Sequence, residues 1–119
     1  MSITDNLSGQ DLYEEMQDTR KSTNDAISES IRCGIRKSKS ENAYRIAKAQ
    51  RTLVLREQGF QITILADLVK GTPEVAKLNL EWDIAQVRYD AAKELIWKYR
   101  RELDILMTLM RMEYGKIND

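Results

Sequence analysis

The chain contains no histidine, and this absence removes the usual general base of enzymes and the commonest transition-metal ligand together. Catalytic triads, zinc sites and the Glu-x-x-His di-iron pattern are thereby excluded in their ordinary forms. A single cysteine, Cys33, allows no internal disulfide, and a lone thiol with no imidazole to activate it reads as structural. There is one proline and there are five glycines in 119 residues, so few residues interrupt a helix. No apolar run approaches the ~18 residues that span a bilayer, and the opening MSITDNLSGQD lacks the basic and apolar regions of a secretory signal. The expectation is a cytoplasmic chain that is not an enzyme, needs no cofactor or metal, and does not enter a membrane. Carboxylates such as Glu14, Glu15 and Asp18, or Asp83, Asp90 and Glu94, read as solvated helix faces.

What is present is charge and helical periodicity. Charged residues make up 32% and apolar ones 42% of the chain, the balance of a helix-rich domain rather than a disordered segment. Net charge is zero but unevenly spread. Residues 1–31 carry seven acids against Arg20 and Lys21, whereas residues 32–57 carry eight bases against Glu41 and Glu57. An acidic stretch followed by a basic one is an asymmetry that marks interaction surfaces.

From Thr72 onward the helix signal is strong. Thr72 suits an N-cap, Pro73 the first helical position, and Glu74 the positive end of the helix dipole. Leu78, Trp82, Ala85, Tyr89, Ala92, Ile96, Tyr99, Leu103, Leu106 and Met110 then recur at alternating spacings of four and three, a coiled-coil seam. A second series, Leu80, Ile84, Val87, Ala91 and Leu95, then Ile105, Leu109 and Met112, reads as widening the buried face. Gly115 is a natural C′ residue, so the long helix is expected over 72–114.

A helix is also expected over 40–58, with Ala43, Ile46, Ala47, Leu53 and Val54 roughly on one face and Gly59 closing it. Upstream, a polar N-terminal helical arm covers 1–39, with weak periodicity through Leu12, Met16, Thr19, Thr23, Ala26, Ile27, Ile31 and Ile35. Two readings of residues 10–57 stand at this level: one long helix, or two with a break near Gly34. A short helix over 60–70, N-capped by Thr63, fills the elbow. The whole is expected to be a single all-α domain, a long antiparallel coiled-coil-like hairpin with a short helix at its elbow. Such a hairpin would place Arg56 near Thr72 and Leu12 near Tyr114. The polar arm is a poor match for LIWKYRRELDILMTLMRMEYG, and an apolar surplus normally marks association. A homo-oligomer, most simply a two-fold dimer, is expected through Ile96, Leu103, Leu106, Leu109 and Met110.

The elbow, LREQGFQITILADLVKGTPEVAKL, has the order of a helix-turn-helix. Its third helix opens with Glu74, Glu81 and Asp83, and acids facing phosphates oppose the term that dominates DNA affinity. The basic face of 32–57 is the better nucleic-acid candidate, because Arg45, Lys48, Arg51 and Arg56 recur at helical spacing and phosphate contacts need little more. Trp97 lies off both apolar series beside Lys93, Arg100 and Arg101, where it serves as a cation–π partner or as an exposed anchor for a protein partner.

The segments YRIAKAQRTLVLREQG, DLVKGTPEVAKLNLEWDIA and YDAAKE resemble a family of small helical proteins encoded in phages and prophages of Gram-positive bacteria, usually carried among early replication and recombination genes. The resemblance covers about residues 40–114. It implies a non-enzymatic phage accessory protein that binds a host or phage factor in DNA metabolism or acts as a counter-defence inhibitor in the host cytoplasm. The alternative is a nucleic-acid-binding protein of a replication or recombination module.

Overall fold

A computed structural model describes the backbone of residues 9–118 and the side chains of residues 9–115. The first eight residues of the expected N-terminal arm lie outside the described residues. Three helices follow one another: α1, Gly9–Glu57; α2, Ile62–Lys70; and α3, Pro73–Asn118. The fold is all-α, a long helical hairpin closed by a short helix. Of the two readings of residues 10–57, the continuous helix holds, since α1 runs 49 residues through Gly34 without a break. A helical glycine costs about 1 kcal/mol against alanine. Here it also makes room, because a Cβ at Gly34 would stand 3.3 Å from Cε1 of Tyr89.

The chain divides into two compact units, each drawing on both long helices: Ile31–Asp90, the elbow unit, and Met1–Ser30 with Ala91–Asp119, the terminal unit. In the elbow unit α1 ends in a Schellman motif. Gly59 takes φ +89°, its N–H donates to the Arg56 carbonyl at 3.0 Å, and the Phe60 N–H donates to the Leu55 carbonyl at 3.3 Å. The N-cap of α2 is Gln61, in extended conformation, not Thr63 as expected. Two residues separate Gly59 from Ile62, so Thr63 is already inside the first turn. Leu65 and Val69, one turn apart, are buried, while Ile62 is 79% exposed.

Thr72 stands at the start of α3, its carbonyl accepting the Ala76 N–H at 2.8 Å. Its hydroxyl, however, donates back to the Leu68 carbonyl at 2.9 Å and accepts from Arg51 Nε at 3.3 Å. Arg51, not Arg56, is therefore the neighbour of Thr72, because α1 runs on beyond the level of the turn to reach α2. The elbow core gathers Tyr44 and Leu55 from α1, Leu65 and Val69 from α2, and Val75 from α3, with Ala47, Leu78 and Trp82 packed against it. Fully burying side chains such as Val69 and Val75 contributes roughly 1.5–3 kcal/mol each.

The α3 seam is buried or half-buried throughout the expected series, from Leu78 to Tyr89 in the elbow unit and from Ala92 to Met110 in the terminal unit. In the terminal unit α1 answers with Leu12, Met16, Thr19, Thr23 and Ala26, and Gly9 lies beside Glu113. Beyond Leu12 and Met16, these are small or polar residues for an interior seam. Thr23 satisfies its hydroxyl within its own helix, on the Thr19 carbonyl at 2.7 Å.

Three further expectations fail. The second α3 series does not widen the buried face: Leu80, Ile84, Val87, Leu95, Ile105 and Met112 are all exposed. Leu80 and Val87, two residues from a seam position on either side, turn about 200° away and lie behind the seam, whereas Ile84 borders the groove against α1 and Leu109 of the same series is half-buried. The same rotation exposes Ile31, Ile35, Ile46, Leu53 and Val54 on α1, while Ser30, Cys33, Gly34, Tyr44, Ala47, Arg51 and Leu55 turn inward. Gly115 does not end α3, which continues to Asn118.

Candidate functional site

The elbow unit contains the four basic residues singled out on α1, and it distributes them rather than aligning them as one open row. Arg45 is exposed and paired with Glu41 at 2.7 Å, one helical turn away. Lys48 Nζ lies 5.9 Å from the centroid of the Tyr44 ring. Arg51 is half-buried and spends its Nε on Thr72. Arg56 is exposed in the last turn of α1, where a cation complements the helix dipole. A helix cannot present residues 45, 48, 51 and 56 on one solvent face when Tyr44, Ala47, Arg51 and Leu55 face inward. At the start of α3, Glu74, Glu81 and Asp83 are all exposed, which keeps acids on the would-be recognition helix.

The outward faces of the elbow unit carry exposed apolar residues on both long helices, on α1 in two pairs separated by Ser38, Lys39 and Asn42. On α1, Ile31 is 58%, Ile35 53%, Ile46 50% and Leu53 60% exposed. On α3, Leu80 is 59%, Ile84 44% and Val87 67% exposed. Single exposed hydrophobics are ordinary, but repeated ones at helical spacing are not. Ile84 also borders an open groove of about 230 Å³ whose wall is completed by Arg36, Ser40, Glu81, Ala85 and Arg88. That groove draws on both helices, so a reading along the chain could not assemble it.

No family model, no curated protein and no solved structure matches this chain.

In the terminal unit the five residues expected to form an oligomer interface lie on or next to the intrachain seam. Leu106 is 1% exposed, and Ile96, Leu103, Leu109 and Met110 are half-buried. Heptad core positions point at the nearest helix, and within this unit that helix is α1. Trp97 stands outside the seam, 62% exposed, with the Arg100 guanidinium carbon 5.6 Å from its ring centroid. Trp97, Arg100, Arg101, Leu103 and Asp104 line a shallow depression of about 460 Å³.

Among the described residues no three Cys, Asp or Glu side chains cluster as metal ligands, and no helix is long and apolar enough to cross a membrane. Cys33 is half-buried and forms no disulfide. The indole nitrogen of Trp82, beside the Tyr44 ring, is a buried side-chain polar atom without a hydrogen-bond partner among the described residues.

Proposed function

We propose that this chain is a non-enzymatic phage accessory protein that works by protein–protein binding, as a homo-oligomer, on a host or phage factor in DNA metabolism or counter-defence, in the cytoplasm of the host cell. The observation that carries the binding reading is the row of outward apolar residues on α1 of the elbow unit, Ile31, Ile35, Ile46 and Leu53, half or more exposed. Solvating such a face forgoes about 25 cal/mol for each Å² of apolar surface, and an opposing apolar surface recovers that free energy. The phage assignment rests on the resemblance of residues 40–114 alone.

The test is affinity capture from a Gram-positive host extract with the wild-type chain and with an Ile46→Glu, Leu53→Glu variant of equal helicity. A stoichiometric protein held by the first and lost by the second is the expected result. Equal capture by both would overturn the α1 face as the binding surface. A salt-dependent gel shift on DNA, abolished by charge reversal at Arg45, Lys48 and Arg56, would replace the protein-binding reading with the nucleic-acid one.

A further inference from the structure

We propose that the outward face of α3 in the elbow unit takes the same face of a second copy of the chain, the two α3 helices antiparallel about a two-fold axis between Ile84 and Val87. This deepens the oligomer reading above and moves the contact away from Ile96, Leu103, Leu106, Leu109 and Met110, whose side chains are already engaged in the seam.

The spacing is that of a second seam. Leu80, Ile84 and Val87 follow at four and three residues, Leu80 and Val87 on the side of α3 opposite the seam and Ile84 at the edge of the groove shared with α1, and Ala91 continues the series along the same helix. A helix with heptad core residues on both faces has one face for its own hairpin and another for a further helix. None of the three is covered: 59%, 44% and 67% of Leu80, Ile84 and Val87 stand in solvent.

The flanking charges identify the occupant. In the antiparallel arrangement Ile84 meets Val87 of the second copy twice at the centre, and Leu80 meets its Ala91 twice outside. Glu81 then faces Arg88 of the second copy, and Lys77 faces its Glu94, each pair occurring twice by symmetry. Lys77, Glu81, Arg88 and Glu94 are all exposed. Asp83 opposite Asp90 is the one like pair. Shifting the antiparallel register by one layer either way sets Glu81 against Glu81 or Arg88 against Arg88. A parallel pair would pair Asp83 with Arg88 but stack Lys77 on Lys77 and Glu94 on Glu94 in its core. Like charges facing each other across such a seam suppress the wrong arrangement, so the pattern is complementary to itself in one register.

About two heptads of contact bury less than the ~1,600 Å² of a standard interface, so the self-association is expected to be concentration-dependent. Sedimentation equilibrium of the full chain from ~1 to ~300 µM is the experiment. A monomer–dimer equilibrium is expected, abolished by Ile84→Glu with Val87→Glu at unchanged helicity. Arg88→Glu should weaken it at least about tenfold by setting Glu81 against a second carboxylate, and adding Glu81→Arg should restore it. A monomer throughout the range, or a dimer indifferent to Ile84→Glu and Val87→Glu, would overturn the surface. Failure of the Glu81→Arg rescue would overturn the antiparallel register. Self-association of the purified chain is read separately from capture of another protein through α1, so either can fail alone.

Discussion

The rings of Tyr44 and Trp82, one from each long helix, pack with centroids 5.4 Å apart and planes inclined by 32°. They join α1 to α3 beside the elbow core, and the Trp82 indole N–H is buried there without a hydrogen-bond acceptor. An aromatic pair contributes about 0.5–1.5 kcal/mol beyond its burial, and a buried unsatisfied donor costs about 1–3 kcal/mol. Trp82→Ala should therefore lower stability by about 3–5 kcal/mol. Trp82→Phe, which keeps a ring and removes the orphan donor, should cost about 1 kcal/mol or less. Urea denaturation followed by circular dichroism measures both, and equal losses would show that the N–H is not a burden.

Gly34 exchanges helix propensity for proximity. Alanine would gain up to about 1 kcal/mol of propensity, but its methyl would press on Tyr89 Cε1 at 3.3 Å. Gly34→Ala should fall short of that full gain, and Gly34→Leu should lose about 1–3 kcal/mol through overpacking. Full stabilisation by both substitutions in thermal melts would mean that the Tyr89 ring moves aside freely.

Two other glycines should respond with opposite signs. Gly59 holds φ +89° at the end of α1, a conformation that costs an L side chain about 1–2 kcal/mol, so Gly59→Ala should destabilise by that amount. Gly115 is helical with nothing within 4 Å of an added Cβ, so Gly115→Ala should stabilise by up to about 1 kcal/mol. Loss of stability at Gly115 would indicate that α3 ends there in solution.

The two α3 series should separate cleanly on truncation. Leu106, 1% exposed, should lose about 2–5 kcal/mol as alanine. Leu80, 59% exposed, should lose less than about 0.5 kcal/mol at monomer concentrations. A Leu80→Ala loss that grows with protein concentration would point to the second copy, since association makes apparent stability concentration-dependent.

Much of the fold was legible along the chain. The four-three spacing from Leu78 to Met110, the Thr72–Pro73 start of α3, the Gly59 stop and the short helix between them follow from local steric and hydrogen-bonding rules, which act over one or two turns. Those rules left open whether the helix runs through Gly34, and the lack of any histidine excluded histidine-dependent chemistry. The direction each apolar series faces was decided by tertiary packing. Ile31, Ile35, Ile46 and Leu53 are as apolar as any α1 residue, yet Gly34 and Ala47 turn inward, because Gly34 makes room for the Tyr89 ring and Ala47 packs on the elbow core with Trp82. Packing likewise set Arg51 rather than Arg56 beside Thr72, and joined Arg36 and Ser40 to Glu81 and Arg88 around one groove. Periodicity along a single helix determines that a face exists, but only the neighbouring helix decides whether that face is a core or a surface.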